Sequence, residues 1–186
     1  MTEQITGVVI GLVTDVEDPE GLGRVRVEFP WLSDSNVSNW ARVATSLAGP
    51  ELGHFFQPEI GDEALVAFEM GDVQHPYILG YLWNGDNAPP SDDPSVRMIQ
   101  SVAGHKLVFT DTSGEEGVLV EDSNGNKIEM NADGILMEDA NGNKVEMTSS
   151  GITIESSGDI TIKGTNVTIE ASAKLAATGN PIHLNP

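Results

Sequence analysis

The chain has 186 residues, with 29 acidic against 9 basic side chains, a formal net charge of -20 and no cysteine. This composition excludes a disulfide framework and thiolate metal sites, and it lacks the basic footprint that binds nucleic-acid phosphates. No apolar run is long enough to span a bilayer, and the N-terminus shows no signal-peptide pattern. We interpret the acidity as solubility for a repetitive β-protein.

The first ninety residues predict an all-β domain. Strand-like segments with alternating or β-branched residues occur at 7–14, 23–29, 40–44, 63–69 and 75–82. Glycine and proline separate them, and no convincing amphipathic helix occurs there. Five short strands in so few residues favour a small barrel of the OB type, which we assign to residues 1–88.

A linker follows this predicted barrel. Residues 84–94 read N-G-D-N-A-P-P-S-D-D-P, which is dense in turn and breaker residues and has no apolar periodicity. We assign the linker proper to 89–96 and a second domain to 97–186. All three tryptophans precede this linker.

The second domain contains an internal repeat. Residues 118–130 recur as 135–147, an offset of seventeen residues, and beyond Gly151 the spacing shortens to seven or eight. Each strand carries an apolar pair that brackets one residue pointing to the opposite face. Such a ribbon cannot bury its apolar edge alone. The pattern therefore predicts a multimeric β-prism, a rigid shaft completed by other copies of the chain, which narrows after Gly151. The predicted core of this multimer consists of Ile128, Met130, Ile135, Met137, Val145, Met147, Ile152, Ile154, Ile160, Ile162, Val167 and Ile169.

Two Asp-x-Asn-Gly-Asn segments, 122–126 and 139–143, suggest either calcium loops or tight turns. Their spacing matches neither an EF-hand loop nor a glycine-rich nonapeptide repeat. Asn-Gly between alternating strands is a strong turn signal, because both residues tolerate positive φ. We therefore predict turns.

None of the four histidines, His54, His75, His105 and His183, is spaced to pair with another. His183 lies near the C-terminus, where three copies in a trimer could meet on the axis and hold a metal ion. A lone imidazole lacks the supporting groups of such a site, so we favour an ordinary packed or exposed side chain. Apart from that axial metal, we expect no cofactor.

The sequence shows no nucleophile elbow, zinc-protease motif or phosphate loop, so we predict that the chain is not an enzyme. A cell-wall hydrolase would need a carboxylate pair in a cleft, and we find no sign of one. An OB barrel can also bind oligonucleotides or oligosaccharides through aromatic and basic side chains. The side chains available for such binding are Trp31, Trp40, Trp83, Arg24, Arg26 and Arg42, although the tryptophans could instead pack in the core or against a partner protein.

Four motifs in order give the N-terminal half a specific resemblance. Residues 18–31 read D-P-E-G-L-G-R-V-R-V-E-F-P-W, 40–44 read W-A-R-V-A, 56–66 read F-Q-P-E-I-G-D-E-A-L-V, and 75–84 read H-P-Y-I-L-G-Y-L-W-N. This succession resembles the phage baseplate V and VgrG spike proteins of contractile injection systems. The C-terminal repeat resembles the intertwined three-chain β-helix of the same family, which implies a homotrimer whose strands hydrogen-bond to neighbouring chains around the predicted core.

The resemblance implies a homotrimeric, cell-puncturing central spike in the baseplate of a phage tail, tailocin, type VI-like apparatus or extracellular particle. The OB domain would dock on a separate hub protein at the tube end. A PAAR-type tip protein would cap the C-terminus through Ile182, His183 and Leu184. Assembly in the cytoplasm would involve other baseplate proteins and no nucleic acid, with a target membrane met only during puncture.

The barrel starts within a few residues of Met1, no lysozyme separates it from the repeat, and no effector follows. We therefore expect a minimal spike without hub or lysozyme domains. The alternative is an OB-type glycan- or peptide-binding module that its β-tail merely oligomerises.

Overall fold

The structure is a computed structural model that describes residues 5–32 and 37–182. It divides into two compact units, Met1–Asp92 and Asp93–Pro186. Both units are built from β-strands, and a single 3₁₀ turn at Glu69–Gly71 is the sole helical element among the described residues. The predicted all-β class is confirmed.

The first unit contains a curled five-stranded sheet and a small hairpin. The strands are β1 (Val8–Asp15), β2 (Arg26–Glu28), β3 (Arg42–Val43), β4 (Ala48–Gly49), β5 (Leu52–Gly53), β6 (Glu63–Phe68) and β7 (Pro76–Leu82). The sheet order is β2-β1-β6-β7-β3, and β4 pairs only with β5. All five strands predicted from sequence are present, and the β4–β5 hairpin is an addition that the sequence pattern did not indicate.

The two outer strands of this sheet meet, which closes the barrel. Val25 and Ala41 form an antiparallel bridge, with their N–H groups donating to each other's carbonyls at 3.1 and 2.8 Å. β3 runs parallel to β7, whereas the other pairs are antiparallel. This connectivity is that of a small OB-like barrel.

The barrel core is filled by small and β-branched side chains on the inward face of each strand. Its buried members are Val13, Val25, Val27, Phe29, Ala41, Ala64, Val66, Phe68 and Ile78. Burying a valine or phenylalanine side chain contributes about 1.5–3 kcal/mol, so this cluster holds the unit together. None of the three tryptophans belongs to it.

The second unit is a seven-stranded antiparallel meander. The strands are β8 (Val96–Gln100), β9 (Lys106–Thr110), β10 (Gly117–Glu121), β11 (Lys127–Asn131), β12 (Gly134–Glu138), β13 (Lys144–Thr148) and β14 (Gly151–Glu155). Each strand pairs with the next along the chain over five residues. The seventeen-residue repeat is therefore one hairpin, β10–β11, followed by an equivalent hairpin, β12–β13.

This pairing differs from the prediction that the strands hydrogen-bond to neighbouring chains. From β8 to β14, each strand pairs within the chain, since the intervening turns are short enough for consecutive strands to pair directly. Residues 156–182 do differ: this described stretch forms no strand or helix within the chain.

Three five-residue turns, at 101–105, 122–126 and 139–143, lie at the same end of the strands of the meander. They share one hydrogen-bond pattern. The first N–H donates to the fifth carbonyl, and the fourth N–H donates back to the first carbonyl. In the second and third turns, the opening aspartate also accepts hydrogen bonds from the fifth residue's N–H and side-chain amide. These segments are turns, as predicted from Asn-Gly.

The same turns are linked to one another by their fifth residues. His105 Nδ1 accepts a hydrogen bond from Ser123 N at 3.2 Å, and Asn126 Oδ1 accepts one from Ala140 N at 3.2 Å. Asn143 Oδ1 accepts one from Ser157 N, also at 3.2 Å. One side-chain acceptor per turn therefore ties each hairpin to the next, and His105 is the structural equivalent of the two asparagines.

Candidate functional site

One face of the C-terminal meander is almost entirely apolar. Because side chains alternate along a strand, every strand from β8 to β14 directs two residues to this face, and the registers align them in two rows. The apolar members are Ile99, Leu107, Phe109, Val118, Val120, Ile128, Met130, Ile135, Met137, Val145, Met147, Ile152 and Ile154. The fourteenth position is Arg97. We call these fourteen positions the apolar face.

The apolar face is open to solvent in the single chain. Ile135 is 37% exposed, Ile99 is 49% and Ile152 is 70%. Eight residues of the predicted trimer core, from Ile128 to Ile154, lie on this face, so the structure brings them together. An apolar surface of this extent marks an interaction site, since soluble monomers rarely expose one.

The opposite face carries a row of alternating charges. Lys106 contacts Glu121 at 2.7 Å, and Lys127 contacts Glu138 at 3.6 Å. Lys144 lies 3.4 Å from Glu155, whose carboxylate raises the pKa of the lysine. Exposed pairs of this kind contribute little individually. They favour contact with water along this row.

The turn aspartates are the most strongly perturbed carboxyls of this unit. Hydrogen bonds from the Asn126 side chain and backbone lower the pKa of Asp122 to about 2. The equivalent bonds from Asn143 lower the pKa of Asp139 to about 2. Both carboxylates are therefore occupied in holding turns, which explains their spacing without a bound cation.

The remaining predicted core residues, Ile160, Ile162, Val167 and Ile169, lie in the segment without strand pairing. In this order, their side chains are 55%, 70%, 53% and 64% exposed. Ile182, the first predicted tip residue, is 49% exposed. The other two, His183 and Leu184, lie outside the described residues.

The N-terminal unit has its own apolar surface on the outer wall of the barrel. Val8, Ile10, Leu65 and Leu82 line a shallow groove together with Trp31. The Trp31 indole N–H donates to the Ile10 carbonyl at 3.1 Å, which fixes the ring against β1. Sequence reasoning named Trp31 as a candidate but missed the groove, because its residues become neighbours only through the β1–β6–β7 pairing.

The three arginines of this unit lie on or beside β2 and β3. Arg24 is held by Asp18 at 2.7 Å, and this hydrogen bond keeps the pKa of Asp18 well below its usual range. Arg26 stacks over the Trp40 ring at 5.0 Å, and Arg42 over Tyr77 at 4.8 Å. Arg26 Nε is buried without a hydrogen-bond partner among the described residues.

The described residues offer little catalytic machinery. No group of three or more His, Asp or Glu side chains within 5–32 and 37–182 could hold a metal ion. Ser46 Oγ lies 2.5 Å from His54 Nδ1, a contact that the sequence did not indicate. It is exposed, and the neighbouring Thr45 hydroxyl donates to the His54 carbonyl, so these bonds fasten the base of the β4–β5 hairpin.

Comparison with known families agrees with this architecture. Residues 9–83 match the family model described as the type VI secretion system/phage-baseplate injector OB domain. Residues 96–137 match the phage baseplate V C-terminal trimerisation domain. Together the two matches cover more than half of the chain and follow the two structural units. They define the class of an injector OB domain joined to a trimerising β-sheet.

The chain is also similar to three individual proteins, all of which are named VgrG. It is 33% identical over 128 residues to the type VI secretion system spike protein VgrG5 of Pseudomonas aeruginosa, covering 62% of this chain and 16% of the relative. It is 31% identical over 133 residues to the spike protein VgrG3 of Vibrio cholerae, covering 63% and 13%. The actin cross-linking toxin VgrG1 of Vibrio cholerae is 32% identical over 133 residues, covering 63% and 12%.

The chain belongs to the phage baseplate V/VgrG spike family, as its motifs predicted. Its matching region spans about a sixth or less of the length of these curated relatives. Among the described residues, no helix has the length and apolar character that a membrane crossing requires.

Proposed function

We propose that this protein is a non-enzymatic central spike of a contractile injection system, built as a homotrimer with the apolar face turned to its axis. The single observation that carries this proposal is the apolar face itself: thirteen of its fourteen positions are apolar, and the single chain leaves nine of these thirteen exposed and the other four half-buried. The match to a trimerisation domain supports three copies rather than two.

A trimer would supply the second layer that one meander lacks. Each apolar side chain that becomes buried contributes about 1.5–3 kcal/mol, repeated over seven strands of three chains. Neighbouring strands lie about 4.8 Å apart, so seven strands form a shaft section roughly 29 Å long. The residues from Ile160 to Ile169, which find no partner strand among the described residues, would continue the shaft by pairing between chains.

The piercing role follows from stiffness. A shaft whose sheets share a dry axial core resists bending, and its charged outer face remains hydrated. Sheath contraction would drive it through a target envelope after assembly in the cytoplasm. The proposed core of residues from Ile128 to Ile169 and the tip residues Ile182, His183 and Leu184 complete this proposal, with a PAAR-type protein capping the C-terminal tip.

The test compares two neighbouring residues of β14 that face opposite ways. Ile154 lies on the apolar face and is 62% exposed, whereas Thr153 is exposed on the other face. In a monomer, lysine is tolerated at both positions. In the proposed trimer, Ile154→Lys places three ammonium groups near the axis without partners, which opposes assembly, while Thr153→Lys remains in water.

The mass of each variant in solution, by light scattering with and without SDS at room temperature, gives the answer. We expect SDS-resistant trimers of the 19.8 kDa chain for the parent and Thr153→Lys, and monomers or unstable assemblies for Ile154→Lys. A monomeric parent, or an Ile154→Lys trimer of normal stability, would contradict the proposed core. Ile160→Asp tests the distal segment in the same way.

We propose that the OB unit docks on a separate hub protein through the groove of Val8, Ile10, Trp31, Leu65 and Leu82. An apolar groove with a fixed tryptophan suits a protein partner, since aromatic anchors dominate such interfaces. Ile10→Asp, on the exposed side of β1, would abolish co-purification with the hub without affecting trimer mass.

One observation favours the second candidate, a glycan- or peptide-binding module. Trp83 is 71% exposed and Trp31 is 47% exposed, so these rings are not core residues. Titration of tryptophan fluorescence with peptidoglycan fragments distinguishes the two candidates. A saturable change that Trp83→Ala removes supports the binding module, and a flat response supports the spike.

A further inference from the structure

The apolar face has one charged exception, at its first strand. Arg97 shares β8 with Ile99 and stands directly opposite Phe109 of β9. Its side chain is 63% exposed, and its guanidinium contacts Asp111 at 2.6 Å. The cation thus lies at one end of the apolar rows, held by a carboxylate from the adjacent turn.

The rest of the face specifies the axial position of a neighbouring chain only weakly. Hairpin β10–β11 presents Val118, Val120, Ile128 and Met130, and hairpin β12–β13 presents Ile135, Met137, Val145 and Met147. These sets have nearly the same size and chemistry, because they are copies of one repeat. If a chain slides along the axis by two strands, about 10 Å, apolar residues still meet apolar residues.

We propose that Arg97 fixes the register of the assembly by excluding this one-repeat slip. The inference rests on the proposed trimer and names the residue that determines how its chains align. When the three chains are in register, their Arg97 side chains lie together at the β8 end of the apolar face, where they contact water and Asp111. After a slip of one repeat, an Arg97 faces the Val118 layer of its neighbours.

The cost of that slip lies in desolvation. A guanidinium among valine side chains loses water, and Asp111, which lies in the same chain and moves with Arg97, is drawn toward the apolar layer with it, so both charges lose hydration. A single polar residue in an apolar seam specifies alignment in coiled coils by the same physics. Loss of burial at the ends of the slipped chain adds a further cost, but that cost is the same whether residue 97 is arginine or leucine.

The chain has no cysteine, which allows a direct measurement of register. Met130 and Met147 occupy equivalent positions one repeat apart, so single-cysteine variants Met130→Cys and Met147→Cys are mixed, refolded together and oxidised. Chains in register yield 130–130 and 147–147 cross-links. A one-repeat slip yields 130–147 cross-links, which mass spectrometry distinguishes.

We expect 130–147 cross-links to be rare in the parent background. Relative to same-position cross-links, they should rise at least about tenfold with Arg97→Leu, because the slipped state then buries no guanidinium in the apolar layer. Arg97→Lys retains the cation and should behave as the parent. Gln100→Leu adds an apolar side chain to the opposite face of the same strand and should also leave the ratio unchanged.

The possible outcomes distinguish a wrong register role for Arg97 from a wrong trimer. If Arg97→Leu and the parent give the same ratio while both form trimers, the register role is wrong and the trimer stands. If the Gln100→Leu control raises the ratio equally, the effect is general hydrophobicity and the role is again wrong. If the parent is a monomer without same-position cross-links, the proposed function fails and the register role with it.

Discussion

Replacing Gly134 by alanine should disrupt the meander, whereas the same change at Gly151 should not. Both glycines open a strand and have similar φ angles, +145° at Gly134 and +141° at Gly151. A Cβ at Gly134 would lie 1.9 Å from the carbonyl oxygen of Met147, while a Cβ at Gly151 would have nothing within 4 Å. A comparison of the two variants therefore distinguishes the cost of backbone strain, which both share, from the cost of a steric clash, which only Gly134→Ala has.

The magnitudes follow from these two terms. An alanine held at such a φ costs about 1–3 kcal/mol, and this cost applies at both positions. At Gly134 the oxygen must also move by more than 1 Å to reach ordinary contact distance, which breaks the Ile135–Met147 register of β12 and β13. We expect a total of about 4 kcal/mol or more for Gly134→Ala.

Hydrogen exchange of the full-length protein locates the damage. Gly134→Ala should accelerate exchange of the β12 and β13 amides and lower the unfolding midpoint at fixed protein concentration, with the barrel unaffected. Gly151→Ala should leave both strands protected. Equal protection in the two variants would mean that the chain avoids the clash, and the close approach of β12 to β13 would be wrong.

Acidification should weaken the turns of the meander. Asp122 and Asp139 have pKa values lowered to about 2 from 3.8, so their contribution is fully present above about pH 4 and is lost as pH falls through about 2; a double Asp→Asn variant should show less acid dependence in this window by circular dichroism. His105→Asn should preserve the hydrogen-exchange protection of the Ser123 amide, whose N–H donates to the His105 imidazole, because asparagine accepts the equivalent bond in the other two turns. His105→Ala should lose this protection. Arg26→Met should change the unfolding free energy by less than about 1 kcal/mol, because it removes an unpartnered buried Nε while losing the cation–π contact with Trp40; a large destabilisation in denaturant titration would indicate a partner for that group.

Much of the fold could be predicted from local pattern alone. The five barrel strands follow from alternation and from glycine and proline punctuation, because those signals act over a few residues. The short observed spans of β2 and β3 could not be predicted, since Val25 and Ala41 satisfy their hydrogen bonds through a single bridge across the barrel. The shared hydrogen-bond role of His105, Asn126 and Asn143 was likewise hidden, because it depends on an acceptor atom and not on residue type.

The candidate site also has a part that the sequence predicts and a part that it does not. Membership of the apolar face follows from period-two alternation, and eight predicted core residues do lie there. The barrel groove around Trp31 could not be predicted, because it is formed by strands that are distant in sequence. Arg97 was not singled out, since a lone arginine in a strand gains significance only when the registers place it among apolar neighbours.

The pairing pattern separates how the second unit folds from how it becomes stable. Strands β8 to β14 pair with sequence neighbours, so their hydrogen bonds require little loop-closure entropy and can form within one chain. The apolar face gains nothing from that pairing, because every side chain on it still meets water. A single sheet with an uncovered apolar face buries little apolar surface, whereas a second apolar layer would supply most of the burial and of the hydrophobic stabilisation. We therefore expect hairpins to form first and locally, and unfolding to depend on protein concentration, as it does whenever folding and association are linked.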